Sequence, residues 1–350
     1  MVSLSGGADS GLVASLVFLS NVLALEQLGV CNYLKKLPAS VTEGLTAPKC
    51  SEDVLSWLKT DVMPKLLWCL YQGTNNSSDT TLNAAKNLAF EVGASFHNWN
   101  VEPLVQSYTN LVNEVYPNRP LNWHSDDITL QNIQARVRSP GVWMLANREN
   151  KLLIATSNLS ESALGYATMD GDTSGVLSAI SGLSKTTIRT LLVWLEKTGL
   201  PAVWQNQFTR FKLGSLEAIN IQQPTAELRP DEQTDEEDLM PYEICDFIMD
   251  CYLVKQMWPK SILVELVMHG FAAKYEIKTL ADFVERWFRL FCRNPWKRYG
   301  TRAGFHVEQI SLDPKTFHRF PLLNSGFQEP LALMWDYVNN PTGDKNKEFK

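Results

Sequence analysis

Cysteine is scarce and unpatterned in this chain. Of 350 residues only Cys31, Cys50, Cys69, Cys245, Cys251 and Cys292 are cysteines, and none stands in a CxxC spacing. A thiolate zinc site or a disulfide framework therefore has no signature here, and the thiols read as the reduced cysteines of a cytoplasmic protein. The five histidines, His97, His124, His269, His306 and His318, lack the HxxxH spacing of a helical metal pair. An excess of positive charge is missing too. Net charge is −6, which advertises no basic face for nucleic acid. No apolar run reaches the roughly 20 residues of a membrane span. The longest, Leu12 to Leu25, is broken by Ser15, Ser20 and Asn21, and has neither the basic leader nor the cleavage site of a signal peptide. Internal repeats, a GxxxxGK[ST] loop and a GxGxxG after a strand are all lacking.

Hydrophobic residues make up 45% and charged residues 20%, a globular composition with material for a sizeable core. Three segments read as strand, polar turn and helix. Val2–Leu4 leads through residues 5–10 into an apolar helix over 11–28. Lys65–Tyr71 leads through Gln72–Asp79 into a helix over 80–92, with Gly93 placed as its C-cap. Lys151–Thr156 leads into Ser157–Glu161. A shorter strand is expected at Ser95–Asn100, and a helix over Thr129–Asn147 with Ile133, Val137 and Met144 on its apolar face. Alternating strands and helices predict an α/β fold, a Rossmann-like parallel sheet with helices on both faces, followed by a helical C-terminal region. The core is expected over 1–250, with a polar insertion at about 31–61. A helical, basic extension over 251–338 and a frayed tail over 339–350 follow. Gln222–Asp238 reads as a loop. Val2–Leu4 is short for a central strand, which suggests that the natural protein has a segment upstream.

The sharpest motif is Ser5-Gly6-Gly7-Ala8-Asp9-Ser10, after a strand and at a helix start. The first N–H groups of a helix have no internal partner, and the helix dipole makes that end positive. Gly6 and Gly7 permit close backbone approach to an anion, and the hydroxyls of Ser5 and Ser10 add donors, so the turn reads as a phosphate nest. Asp9 would repel a bare phosphate, which points to a bridging cation such as Mg2+. The loop resembles the pyrophosphate loop of N-type ATP pyrophosphatases, which cleave ATP between the α- and β-phosphates; their adenine nucleotide alpha-hydrolase-like fold is then expected.

Four further segments follow in order: residues 132–138 (NIQARVR), 155–161 (ATSNLSE), 182–185 (GLSK) and 224–228 (PTAEL). With the loop, the series resembles the synthetase domain of NAD synthetase, and residues 168–175 and 224–243 are similar to its glutamine-dependent bacterial branch. The resemblance spans Ser3 to about Phe320. It implies a ligase that forms NAD from deamido-NAD through an adenylate, releasing AMP and pyrophosphate, with ammonia free or drawn from glutamine. Ser5, Gly6, Gly7 and Ser10 match the residues that hold the ATP pyrophosphate. Asp9 and Glu161 match the magnesium carboxylates, Thr156 and Thr225 contact ATP, and Lys185 offsets phosphate charge. Arg136 or Arg138 matches an arginine that faces deamido-NAD, and Lys297 a basic residue that reaches the same substrate. Met169 and Val176 stand where ammonia-using relatives carry a lysine and an acid; Asp170 and Asp172 are the candidates to take over that work. Asp172 is also the candidate base for converting ammonium to ammonia. A homo-oligomer and a separate glutaminase domain are further implied. Other pyrophosphate-loop ligases, or a nucleotide-binding fragment without catalysis, remain the alternatives.

Overall fold

The computed structural model describes residues 1–48, 54–204, 207–223, 225, 227–230 and 235–340. Six strands form one parallel sheet in the order β3-β2-β1-β4-β5-β8. They are β1 (Val2–Ser3), β2 (Trp68–Gly73), β3 (Ser95–Asn100), β4 (Ile154–Ala155), β5 (Leu177–Ser178) and β8 (Ala303–Gly304). An antiparallel hairpin, β6 (Leu200–Trp204) with β7 (Gln207–Phe211), stands apart from it. In chain order the helices of the first half are α1 (Ala8–Lys36), α2 (Ala39–Thr42), α3 (Val54–Trp57), α4 (Met63–Leu66), α5 (Asp79–Glu91), α6 (Glu102–Val115), α7 (Trp123–Arg148) and α8 (Leu159–Leu164). Those of the second half are α9 (Lys185–Lys197), α10 (Glu217–Asn220), α11 (Asp235–Asp238), α12 (Tyr242–Leu253), α13 (Pro259–Met268), α14 (Ile277–Arg293), α15 (Pro295–Tyr299) and α16 (Gln328–Asn339).

Period-two alternation sets the two faces of the sheet. Val2, Leu4, Cys69 and Tyr71 point into a core shared with α1, α5 and α9. Met1, Leu70 and Leu153 point the other way and pack with Val142 and Ala146 of α7. Both faces are thus covered, as the continuous apolar strands predict. The central strand β1 is only two residues long, yet it pairs with β2 on one side and β4 on the other.

Several expectations need correction. Lys65 and Leu66 end helix α4 rather than beginning a strand, and pairing starts at Trp68. Only Ile154 and Ala155 of Lys151–Thr156 pair as a strand, because their neighbours have no ladder partners at that narrow point of the sheet. Among the described residues of the expected insertion at 31–61 most are helical: α1 continues to Lys36 past a break at Gly29, and Trp57 and Leu58 are buried. Met144 lies on the outer side of α7 and is 73% exposed, whereas Val137 is buried. Asp235–Asp238 is a short helix within the expected loop. Most of the expected tail lies outside the described residues, as does Cys50.

The first helix is also longer and more apolar than the run Leu12 to Leu25 suggested. By length and composition alone α1 could cross a membrane. Its apolar side instead forms the centre of the core, with Leu12, Val13, Phe18 and Val22 buried beside the sheet. Burying each such side chain is worth roughly 1.5–3 kcal/mol.

A second core lies among α8, α12, α13, α14 and α16. Trp287, Phe288 and Phe291 of α14 meet the Tyr252 ring edge to face there. Arg298 ties α15 to this layer. It is buried against the Phe291 ring and donates to the carbonyls of Ala163 and Phe291.

Candidate active site

The turn between β1 and α1 is held by its own serines. Ser5 N–H donates to Ser10 Oγ at 3.1 Å, the two hydroxyls meet at 3.1 Å, and Ser10 Oγ donates to the Gly7 carbonyl. Gly7 is the N-cap of α1, and among the described residues no side chain caps that helix. By contrast α5, α7, α8 and α9 are capped by Ser78, Asn122, Asn158 and Ser184. The positive end of α1 is therefore left open towards the carboxyl edge of the sheet, the edge where open α/β sheets bind ligands. Gly6 serves a different purpose from the one expected. It is not part of the cavity wall. Its φ is +84°, and a Cβ there would stand 2.1 Å from the Thr81 carbonyl oxygen, so its bareness lets the turn lie against α5.

A cavity of about 910 Å³ opens from this turn. Its walls include Ser5, Gly7, Asp9, Ser10, Arg136, Arg138, Thr156, Glu161, Asp172, Lys185, Thr225 and Lys297. Twelve of the fourteen candidate residues thus converge, although they come from seven separate stretches of chain.

At its floor Lys185 is nearly fully buried. Its ammonium donates to Asp9 Oδ2 at 2.6 Å and Glu161 Oε1 at 2.9 Å. Burial alone would lower the Lys185 pKa, but Asp9 and Glu161 outweigh it and hold the ammonium charged. Burial pushes the Glu161 carboxyl up, and Lys185 opposes that. The local sequence explains the placement. Asn158 caps α8 by accepting from Glu161 N–H, and the amide of the same side chain donates to Asp9 Oδ1 at 2.8 Å. Lys185 is the first residue of α9, after its cap Ser184.

The far side of the cavity is basic. Arg136 is exposed and donates to the Met169 carbonyl. Arg138 has a buried Nε with no hydrogen-bond partner among the described residues, and burial lowers its pKa. Lys297 donates to the carbonyls of Gly165 and Ala167 at 2.7 and 2.8 Å. Asp172 accepts from Thr168 N–H, and its carboxyl is pushed up to about 6 by the protein crowded round it. Its side chain still meets water, because it faces the concavity. Asp170 departs from expectation: it lies outside the cavity wall, exposed, with φ +61° and Arg302 at 4.0 Å. The tight turn Thr168–Gly171 turns it outward. Met169 lines the cavity, whereas Val176 is exposed outside it.

Two groups escaped the sequence reading. Asn158 joins Asp9 to Glu161, and its position three residues before that acid is the sequence mark of an N-cap. Glu227 accepts from Ser78 Oγ at 2.6 Å and Thr81 Oγ1 at 2.8 Å, so it anchors the segment bearing Thr225 against α5. Its long-range partners leave no local signal. Pro224 and Ala226 of the same motif lie outside the described residues.

The NAD synthase family model matches residues 1–278. This chain belongs to the NAD synthase family. A glutamine-dependent NAD(+) synthetase from Thermotoga maritima is 29% identical over 95% of this chain and 45% of its own length. The protein of that name from Homo sapiens is 26% identical over 92% of this chain and 46% of its own. The crystal structure of a glutamine-dependent NAD(+) synthetase from Cytophaga hutchinsonii superposes with a TM-score of 0.78 at 35% identity, covering 95% of this chain and 51% of that one. The chain spans about half the length of the relatives it matches. These NAD synthase relatives bear the names of ligases, and their parallel sheet is the one found here.

Proposed function

We propose that this chain amidates deamido-NAD to NAD, consuming ATP and releasing AMP and pyrophosphate. The observation that carries the reading is the Lys185–Asp9–Glu161 cluster, set beside an uncapped helix start in one cavity with a basic far wall. Ser5, Gly7, Ser10 and the first N–H groups of α1 receive the pyrophosphate end of ATP. Thr156 and Thr225 line the nucleotide's path. Arg136, Arg138 and Lys297 receive the deamido-NAD, whose phosphates give the unpartnered Arg138 Nε an acceptor.

The reaction needs little covalent work from side chains. The nicotinate carboxylate attacks the α-phosphorus, pyrophosphate departs, and ammonia then displaces AMP from the adenylate. Positioning and charge stabilisation carry such phosphoryl transfers. Lys185, already ordered by two carboxylates, stabilises charge growing on the leaving pyrophosphate without reorganising. Asp172, with its raised pKa, takes a proton from ammonium near pH 7.

Asp9 and Glu161 would hold Mg2+. The fit is supported by their convergence on one cation, since magnesium commonly takes one or two carboxylates and completes its shell with phosphate and water. It would supply charge neutralisation at the phosphates.

Ammonia is the nucleophile in this reading, delivered free or from glutamine by a glutaminase unit. A homo-oligomer is also proposed. Leu104, Tyr108, Leu111 and Val115 form an exposed apolar stripe on α6, larger than scattered surface residues would give. The test is direct. The chain is incubated with ATP, Mg2+, deamido-NAD and either ammonium or glutamine, and NAD and pyrophosphate are quantified. Absence of both products with ammonium would overturn the proposal.

A further inference from the structure

The carboxylate of Asp246, on α12, lies outside the cavity wall. It nevertheless touches the two segments that present the central charges. Its Oδ1 accepts from Ser160 Oγ. Its Oδ2 accepts from Thr186 N–H at 3.0 Å and Thr186 Oγ1 at 2.7 Å. Ser160 precedes Glu161, and Thr186 follows Lys185. The Ser160 hydroxyl in turn accepts from Lys185 N–H at 2.8 Å.

One carboxylate therefore ties α8 to α9 immediately beside the pair that faces the ligand. The first three N–H groups of α9 are all satisfied by this arrangement: Lys185 by Ser160, Thr186 by Asp246, and Thr187 by the cap Ser184. Glu308 fixes the cap itself, accepting from Ser184 N–H at 2.7 Å. At an ordinary helix start the cap side chain satisfies one N–H group and water takes most of the others. Here a partner from another layer has been added, and its second oxygen is committed to the neighbouring helix. The negative charge also complements the positive end of α9.

We infer that Asp246 is a positioning residue, which sets the separation of Lys185 and Glu161 through Thr186 and Ser160. It links the helical C-terminal layer to the charge at the phosphate site. The inference rests on the reading of Lys185 as the cation facing the ATP phosphates, and a lysine misplaced by about 1 Å stabilises that charge less well.

The test is a double-mutant cycle on the full chain. Asp246→Ala should lower kcat at least tenfold while KM for ATP changes less than twofold. In a Lys185→Met background the same change should cost less than twofold, because its effect passes through the lysine. A purely structural Asp246 would slow both backgrounds equally, and that outcome overturns the inference. If the alanine variant does not fold, Asp246→Asn completes the same cycle; it removes the charge and one of the acceptors. A second arm is independent of turnover. In 15N-resolved spectra of the lysine ammonium groups, the signal lost in Lys185→Met identifies Lys185. That signal should broaden or vanish in the Asp246 variant. Its persistence unchanged overturns the inference even if the chain makes no NAD.

Discussion

Lys185 and Asp9 lie 176 residues apart in the chain and meet at 2.6 Å across the carboxyl edge of the sheet. Glu161 takes the same ammonium from the other side. The lysine thus has two partners and almost no water. Breaking such a buried set leaves uncompensated charge, which costs more than the set itself contributes.

Lys185→Ala is therefore expected to destabilise the fold by about 3–5 kcal/mol at neutral pH. Burial has already raised the Glu161 carboxyl above its usual value. Without the ammonium it rises further, so the variant takes up a proton on folding. Glu161 is pushed up to about 8 even in the native chain, so the variant's stability deficit should shrink as pH falls from about 10 towards 8 and level off below that. Denaturant unfolding at about pH 8 and about pH 10 checks this; an equal deficit at both would contradict the buried-carboxylate account. Adenylation, followed as pyrophosphate release, should fall about a hundredfold or more, the scale for loss of one preorganised donor.

The fold was legible in the sequence where the pattern was long enough to repeat. The strand at Ser95–Asn100, the helix after residue 79 and the parallel sheet all follow from period and turn chemistry. The strands Leu177–Ser178 and Ala303–Gly304 were not legible, since two residues carry no period. The candidate site was legible as residue types in order, because Ser5–Ser10, Glu161 and Lys185 sit at helix starts. Their mutual contacts were hidden. Nothing local to Asp9 says that Asn158 and Lys185 will occupy both of its oxygens, or that Asp170 will turn outward while Asp172 lines the cavity.

Gly6→Ala tests the packing of the loop apart from its charge. The φ of +84° is unfavourable for a side chain, and the added Cβ meets Thr81 backbone. Strained backbone of this kind costs about 1–3 kcal/mol before the steric clash is counted. A lower melting temperature and weaker ATP binding by calorimetry are expected together. Gly7→Ala, whose Cβ meets only Ser5 Oγ at 3.5 Å, should fold normally and lose ATP affinity alone. Equal melting temperatures for the two variants would count against this division of labour.

Asp9→Asn separates charge from shape. Asn158 and Lys185 both donate to the native carboxylate, and the amide can satisfy only one of them as an acceptor. Pyrophosphate release should fall at least a hundredfold, and the Mg2+ concentration for half-maximal rate should rise. An unchanged magnesium dependence would remove Asp9 from the proposed metal site.

Asp172 gives a pH signature of the opposite sign to an ion-paired acid. Its carboxyl is pushed up to about 6, chiefly by burial, from the usual 3.8. The folded state therefore binds the proton more tightly than the unfolded state, and stability falls as pH rises from about 4 through 6. A two-unit shift is worth about 2.7 kcal/mol if taken at face value. The carboxyl meets cavity water, so screening reduces this, and about 1 kcal/mol is the expected size. Asp172→Asn should flatten that slope and stabilise the protein by about 1 kcal/mol at pH 7, measured by urea unfolding. The same variant should slow amidation with ammonium while leaving adenylate formation intact, because the base acts only after pyrophosphate has left. If adenylation and amidation slow together, Asp172 orients the deamido-NAD rather than taking the proton.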